Sequence, residues 1–210
     1  MHSNIDRSKN HPNHPEPPDT MTNYTLHNSL TRAHNNTAKI AKITATIITA
    51  TLILAISAKI QIPFYPVPMT LQPLVVLLIG ATLGPRLAAA TLAAYLVQGI
   101  AGLPVFAAGA GPAYILGPTG GYLVGFLVAA TVVGHLSARG KTRKLVPAAL
   151  TMLAGIVIIY AVGVAQLAVL TDLNTAVTAG LLPFIPGDIL KIAIAALVAQ
   201  RFAARLHRRD

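Results

Sequence analysis

The sequence predicts an all-α integral membrane protein with six transmembrane helices, on three observations. Of the 210 residues 54% are apolar and only 10% charged, whereas a soluble domain carries about a quarter of its residues as charged types. The apolar residues fall in six blocks whose lengths lie near the roughly 20 residues a helix needs to cross the hydrocarbon core. Finally, the cations collect in alternate connections between those blocks, as they do when one side of a membrane is cytoplasmic. The complete absence of Cys excludes a disulfide scaffold, a thiolate-ligated zinc site and a cysteine nucleophile together.

Taken in order, residues 1–36 are polar, rich in Asn, His and Pro, and have no apolar period. Such a composition buries too little to fold and reads as a disordered cytoplasmic tail. It lacks the apolar core of a signal peptide. His2, His11, His14, His27 and His34 lie here, scattered among Pro and Asn, and read as solvated tail with no metal site. Residues 37–210 form the membrane domain, ending in a short basic tail. Its blocks run approximately over 40–60, 69–84, 86–101, 119–138, 145–170 and 179–201, each bounded by charge, Pro or Gly. The second and third are short and joined tightly by Gly84-Pro85-Arg86. Such runs span by using their flanks or by thinning the bilayer.

Charge sets the expected orientation. With the N-terminus inside, all of the 16 Lys and Arg except Lys59 and Lys191 fall on the cytoplasmic side or its tails. Both termini are then cytoplasmic, and the formal charge of +10 is a topology signal, not a nucleic-acid footprint. The outer connections become 61–68, 102–118 and 171–178. "GHLSARGKT" looks like a phosphate loop, but its glycines, Gly134 and Gly140, are one residue too far apart and no strand precedes them. It reads as a basic cytoplasmic turn. No hydrolase or metalloprotease motif is present, so the chain reads as a non-enzyme without a cofactor, and any ATP hydrolysis must come from a partner.

Small residues recur every four positions at Gly117, Gly121 and Gly125, at Gly80 and Gly84, and at Ala41, Ala45 and Thr49, which lets helices approach closely in lipid. Packing inside the bundle accounts for most of these. The first helix, which also carries Thr46 and Ala50, is the exception and is expected to face a different polypeptide. Ionisable residues within a membrane are costly, about 2.5 to 3.5 kcal/mol each on insertion scales, and are rarely accidental. Only the sixth block contains any: in "PFIPGDILKI" Asp188 and Lys191 stand three apart on one helix face. Pro186-Gly187 is expected to open that helix beside the outer loops, where a polar ligand enters and uses both charges. "IPFYPVPMTLQ" is a stiff, aromatic segment, and "GLPVFAAGAGPAYILGPTGGY" is long, uncharged and too apolar for disorder. Both read as covers over an outward-facing cavity.

Together "FYPVPMTLQ", "GATLGPR", "GLPVFAAGAG", "LGPTGGYL" and "FIPGDILK", in this order across about residues 40–200, resemble the BioY family, the biotin-specific S components of energy-coupling-factor vitamin transporters. The resemblance implies an S-component-like bundle that binds biotin under its first and third loops. It also implies a partner module made of a transmembrane coupling protein and a pair of ATP-binding-cassette ATPases. Carried over by position, ligand contacts fall at Asp188 and Lys191, at Thr70 and Gln72, and at Gly120 and Tyr122. The docking stripe on the coupling protein maps either to Ala41 and Ala45 or to Thr46 and Ala50. Some relatives carry an Arg directly after GGY where this chain has Leu123, and Pro112 stands where a Gly is common. Two other classes fit the sequence less well. A membrane scaffold leaves the Asp188 and Lys191 pair unexplained, and an intramembrane enzyme lacks a nucleophile and base.

Overall fold

A computed structural model gives the fold, describing the backbone of residues 18–206 and the side chains of residues 37–205. The chain divides into two units, Met1–Lys42 and Ile43–Asp210, so that the division falls inside the first helix, α1 (Pro18–Lys59). In the first unit the backbone from Pro18 onward is helical. Helix propagation adds one backbone hydrogen bond per residue once a nucleus exists, so a polar sequence can extend a helix begun elsewhere. Residues 1–17, and the side chains of all five tail histidines, lie outside the described residues.

The second unit holds the remaining elements. After α1 come a two-stranded hairpin (β1, Gln61–Ile62; β2, Met69–Thr70), then α2 (Gln72–Leu83), α3 (Pro85–Ile100), α4 (Pro112–Leu116), α5 (Gly120–Ala138), α6 (Leu145–Leu170), α7 (Leu173–Gly180), a 3-10 turn (Leu182–Phe184) and α8 (Ile185–Leu206). All six apolar blocks are helical. The stretches Thr37–Lys59, Gly120–Ala138, Leu145–Leu170 and Leu173–Arg205 are long and apolar enough to cross a membrane. Helix α2 has 12 residues and α3 has 16, about 18 and 24 Å at 1.5 Å per residue, short of the roughly 30 Å hydrocarbon core. Gly84, at φ 76°, makes the turn between them in a backbone region that only glycine enters without strain.

Helix α5 is the centre of the bundle. It packs on α2, α3 and α6, while α8 packs on α2 and α6. The close approaches are made by glycine. A Cβ added at Gly121 would stand 2.7 Å from the Val162 carbonyl oxygen of α6, one at Gly125 would stand 3.0 Å from the Ile159 Cα, and one at Gly80 of α2 would stand 2.6 Å from the Ala130 carbonyl oxygen of α5. Two members of the expected stripes do something else: Gly117 caps α4 and Gly84 forms a turn. The four-residue spacing alone does not separate a packing face from a loop.

At the hairpin end the connections are built, not slack. Gln61 pairs with Thr70 and Ile62 with Met69, and the Leu71 N–H donates to the Ile60 carbonyl at 3.0 Å. In the long connection after α3, Phe106 is fully buried, stacks on Tyr114, and its carbonyl accepts from Lys59 Nζ at 2.6 Å. The sixth block is subdivided. Residues 179–184 belong to α7 and the 3-10 turn, and α8 begins at Ile185. Pro186 and Gly187 therefore sit in the first turn of α8 and do not interrupt it, because the first helical N–H groups have no intrahelical partner to lose.

Candidate functional site

A small, partly open cavity of about 40 Å³ lies at the hairpin end of the bundle. Its roof is Val67 and Pro68 from the hairpin connection, with Thr119 from the approach to α5. Its walls follow from helical spacing. Ile156, Ile159 and Tyr160 share one face of α6, Tyr122 and Phe126 one face of α5, and Asp188 and Lys191 one face of α8. Phe184 of the 3-10 turn closes a further side and is itself held 6.0 Å from the Phe64 ring of the hairpin connection.

The charged pair is the centre of its chemistry. Asp188 is 4% exposed and Lys191 8%, and Lys191 Nζ donates to Asp188 Oδ1 at 2.8 Å. The second carboxylate oxygen accepts from the Tyr160 hydroxyl in a short contact. Asp188 lies in the first turn of α8, where the positive end of the helix dipole favours a carboxylate. Desolvating such a pair costs several kcal/mol per ion, which is recovered only with good geometry and added hydrogen bonds. The lysine uses one of its three N–H donors on Asp188 and can present the others to an oxygen in the cavity.

A second polar group faces the same space. Thr70 Oγ1 lies 3.3 Å from Gln72 Oε1 and accepts from the Gln72 N–H at 3.2 Å. The Gln72 amide donates to the Tyr95 hydroxyl at 2.8 Å, and Tyr95 donates to the Val105 carbonyl at 2.7 Å. Gln72 is thus fixed by α3 and by the long connection behind it. Tyr122, on the opposite wall, donates to the Gly180 carbonyl at 2.8 Å and meets Tyr160 edge to face at 6.4 Å.

Of the residues expected from the sequence, Asp188, Lys191, Thr70, Gln72 and Tyr122 line this one cavity. Gly120 does not. A Cβ there would stand 1.6 Å from the Ile115 carbonyl oxygen and 2.8 Å from Gln166 Nε2, so its role is to let α4 and α6 close on the start of α5. The sequence reading missed Tyr160, Phe126, Ile156, Ile159 and Phe184. Only Tyr160 left a signal, as a phenol in an otherwise apolar helix. Among the described residues no cluster of three metal-ligating side chains occurs.

The expected docking residues divide as well. Ala41 is exposed in the first unit, Ala45 is exposed and Thr46 half-buried in the second, and Ala50 is buried at 8% exposure. Ala45, Thr46 and Ala50 line one side of a 510 Å³ groove whose other side is Val75, Leu78, Ile79, Thr82 and Leu83 of α2.

Comparison with known proteins gives this arrangement a context. Residues 28–208 match the model of the BioY family. The chain is 41% identical over 153 residues to a biotin transporter BioY of Thermotoga maritima, covering 72% of this chain and 89% of that one. It is 40% identical over 173 residues to a biotin transporter BioY of Rhodobacter capsulatus, covering 73% and 88%. The fold is similar to a crystal structure of the S-component for biotin from an ECF-type ABC transporter, with a TM-score of 0.69, 26% identity, and coverage of 78% of this chain and 92% of the other. Family match, identity over most of the length and shared fold agree: the chain belongs to the BioY family.

Proposed function

We propose that this chain is the biotin-binding S component of an energy-coupling-factor transporter, a substrate-binding subunit and not an enzyme, with the cavity around Asp188 and Lys191 as its biotin site. The observation that carries the reading is the buried pair itself, held by Tyr160 and set among aromatic and aliphatic walls. Biotin has a ureido group and a carboxylate at opposite ends of an apolar body, and a mostly apolar pocket with a few fixed polar groups suits it. Asp188 offers lone pairs to N–H donors, and Lys191 offers donors to an oxygen. Ligand pockets usually hold about 300 Å³ or more, so on this reading the cavity widens when biotin enters.

Equilibrium binding of labelled biotin to the purified chain in detergent tests this. Asp188→Asn is expected to weaken binding by about 1.5 to 3 kcal/mol, the range for a hydrogen bond to a charged group. Lys191→Met should cost at least as much, because it also leaves Asp188 unpaired. Expression level and thermal melting check folding separately. Folded variants that bind as tightly as the parent would make the pair structural and overturn its role in binding.

The coupling protein and ATPase pair are the proposed partners, and the groove beside Ala45 and Thr46 is their proposed docking face. The proposed orientation has both termini cytoplasmic, on the distribution of cations. A C-terminal reporter should then be active only if it functions in the cytoplasm, and one inserted near Gly109 only if it functions outside. The reverse pattern overturns the orientation.

A further inference from the structure

At the end of the bundle opposite the hairpin, a groove of 340 Å³ opens between the end of α2, the α5–α6 turn and the last turns of α8. Its lining is mixed. Leu83, Ala138, Phe202 and Ala203 are apolar, while Thr82, Ser137, Thr142 and Arg143 are polar. The hydroxyls are already committed. Thr82 donates to the Leu78 carbonyl at 2.6 Å, Ser137 donates to the Ala81 carbonyl at 2.8 Å, and Ser137 and Thr142 share a 2.9 Å hydrogen bond. Those bonds fix the turn and leave Arg143, exposed at the rim, as the group with donors to offer.

Charge at this end is one-sided. Arg139, Lys141 and Lys144 belong to the same turn, Arg86 follows the α2–α3 turn by two residues, and Arg201 precedes Phe202. Among residues with described side chains the only carboxylates are Asp172 and Asp188. Asp172 caps α7 through Thr175, and Asp188 is held by Lys191 and Tyr160, about 21 Å along α8 from Phe202 at 1.5 Å per residue. Neither neutralises Arg143.

We propose that this groove binds an anionic phospholipid, whose headgroup phosphate takes the Arg143 guanidinium and whose glycerol and upper acyl carbons lie on Leu83 and Phe202. A guanidinium matches two phosphate oxygens in one plane, and basic pockets between membrane helices at the bilayer surface are suited to anionic headgroups. The apolar side chains in the lining, Leu83 and Phe202 above all, distinguish a lipid from a free anion, which has nothing to place on them. This site is separate from the biotin cavity and does not depend on it.

The test is a competition read by native mass spectrometry on the full chain in detergent, supplied with equal amounts of phosphatidylglycerol and phosphatidylcholine. Phosphatidylglycerol should be retained in excess, and Arg143→Gln should lower that preference by about fivefold, one cation's attraction to an anionic surface. Biotin binding should be unchanged. Equal retention of both lipids, or an undiminished preference in Arg143→Gln, overturns the proposal. So does displacement of phosphatidylglycerol by millimolar inorganic phosphate, which would make this a free-anion site. If the variant does not fold, the parent is photo-crosslinked with a diazirine-tailed phosphatidylglycerol. Adducts concentrated at Leu83, Ala138 and Phe202 support the site, and adducts spread over the lipid-facing helices refute it.

Discussion

The α5–α6 seam and the outer flank of α1 carry the same sequence signature and use it differently. Both place small residues four apart, at Gly121 and Gly125 in one case and at Ala41, Ala45 and Thr49 in the other. In the seam the spacing lets two backbones touch, and the glycines lie against Val162, Gly163 and Ile159. Along α1 the same spacing leaves Ala45 exposed beside a 510 Å³ groove. Small-residue periodicity therefore permits a close approach without showing that one is made within the chain. The seam also borders the cavity, which Tyr122 and Tyr160 line from its two helices.

The largest expected effect tests the seam. Gly121→Leu puts its first side-chain carbon 2.7 Å from both the Val162 carbonyl oxygen and Gln166 Cβ, and neither backbone can yield. The cost should exceed the usual 1 to 3 kcal/mol for overpacking a core, leaving little monodisperse protein on size exclusion in detergent. Recovery of protein with the parent's melting temperature would break the comparison. Gly163→Ala probes the link between seam and site more gently. Its Cβ would meet the Tyr122 ring at 2.4 Å, so the ring must shift within the cavity wall. Ala gains about 1 kcal/mol of helix propensity over Gly, which offsets part of the clash. The expected outcome is a small change in melting temperature together with weaker biotin binding. Unchanged affinity would show that the Tyr122 ring is not fixed by the seam.

The smallest intrinsic effect belongs to the α1 flank. Ala45→Trp adds bulk at an exposed position, and surface changes away from special features stay within about 0.5 kcal/mol. Melting temperature and biotin affinity should match the parent, while co-purification with the coupling protein and biotin uptake should fall. Ala50 is a poorer probe, because its side chain is buried and a bulky replacement there disturbs this chain's own core. Loss of biotin binding in Ala45→Trp would mean that the flank packs internally, as the seam does.

The sequence by itself determined the helical membrane class, the six apolar segments and the presence of a charged pair, Asp188 and Lys191, inside the last of them. The reason is energetic in each case. Charge is so unfavourable in hydrocarbon that its absence marks a spanning segment and its presence marks a site. It also determined that the pair share a face, since three residues along a helix bring side chains together. Tertiary structure alone decided which uncharged residues join them. In a helix such as α6, Ile156 and Ile159 face the cavity and Val157 is exposed, yet lipid and protein interior are equally apolar, so composition cannot tell the faces apart. Tertiary packing likewise set Gly120 against α4 and α6 and outside the cavity lining, a placement the sequence could not give because glycine serves a close backbone approach and a ligand approach by the same lack of a Cβ. It also placed the partner of the carboxylate: Tyr160 lies 28 residues from Asp188, and only the packing of α8 on α6 brings the two together.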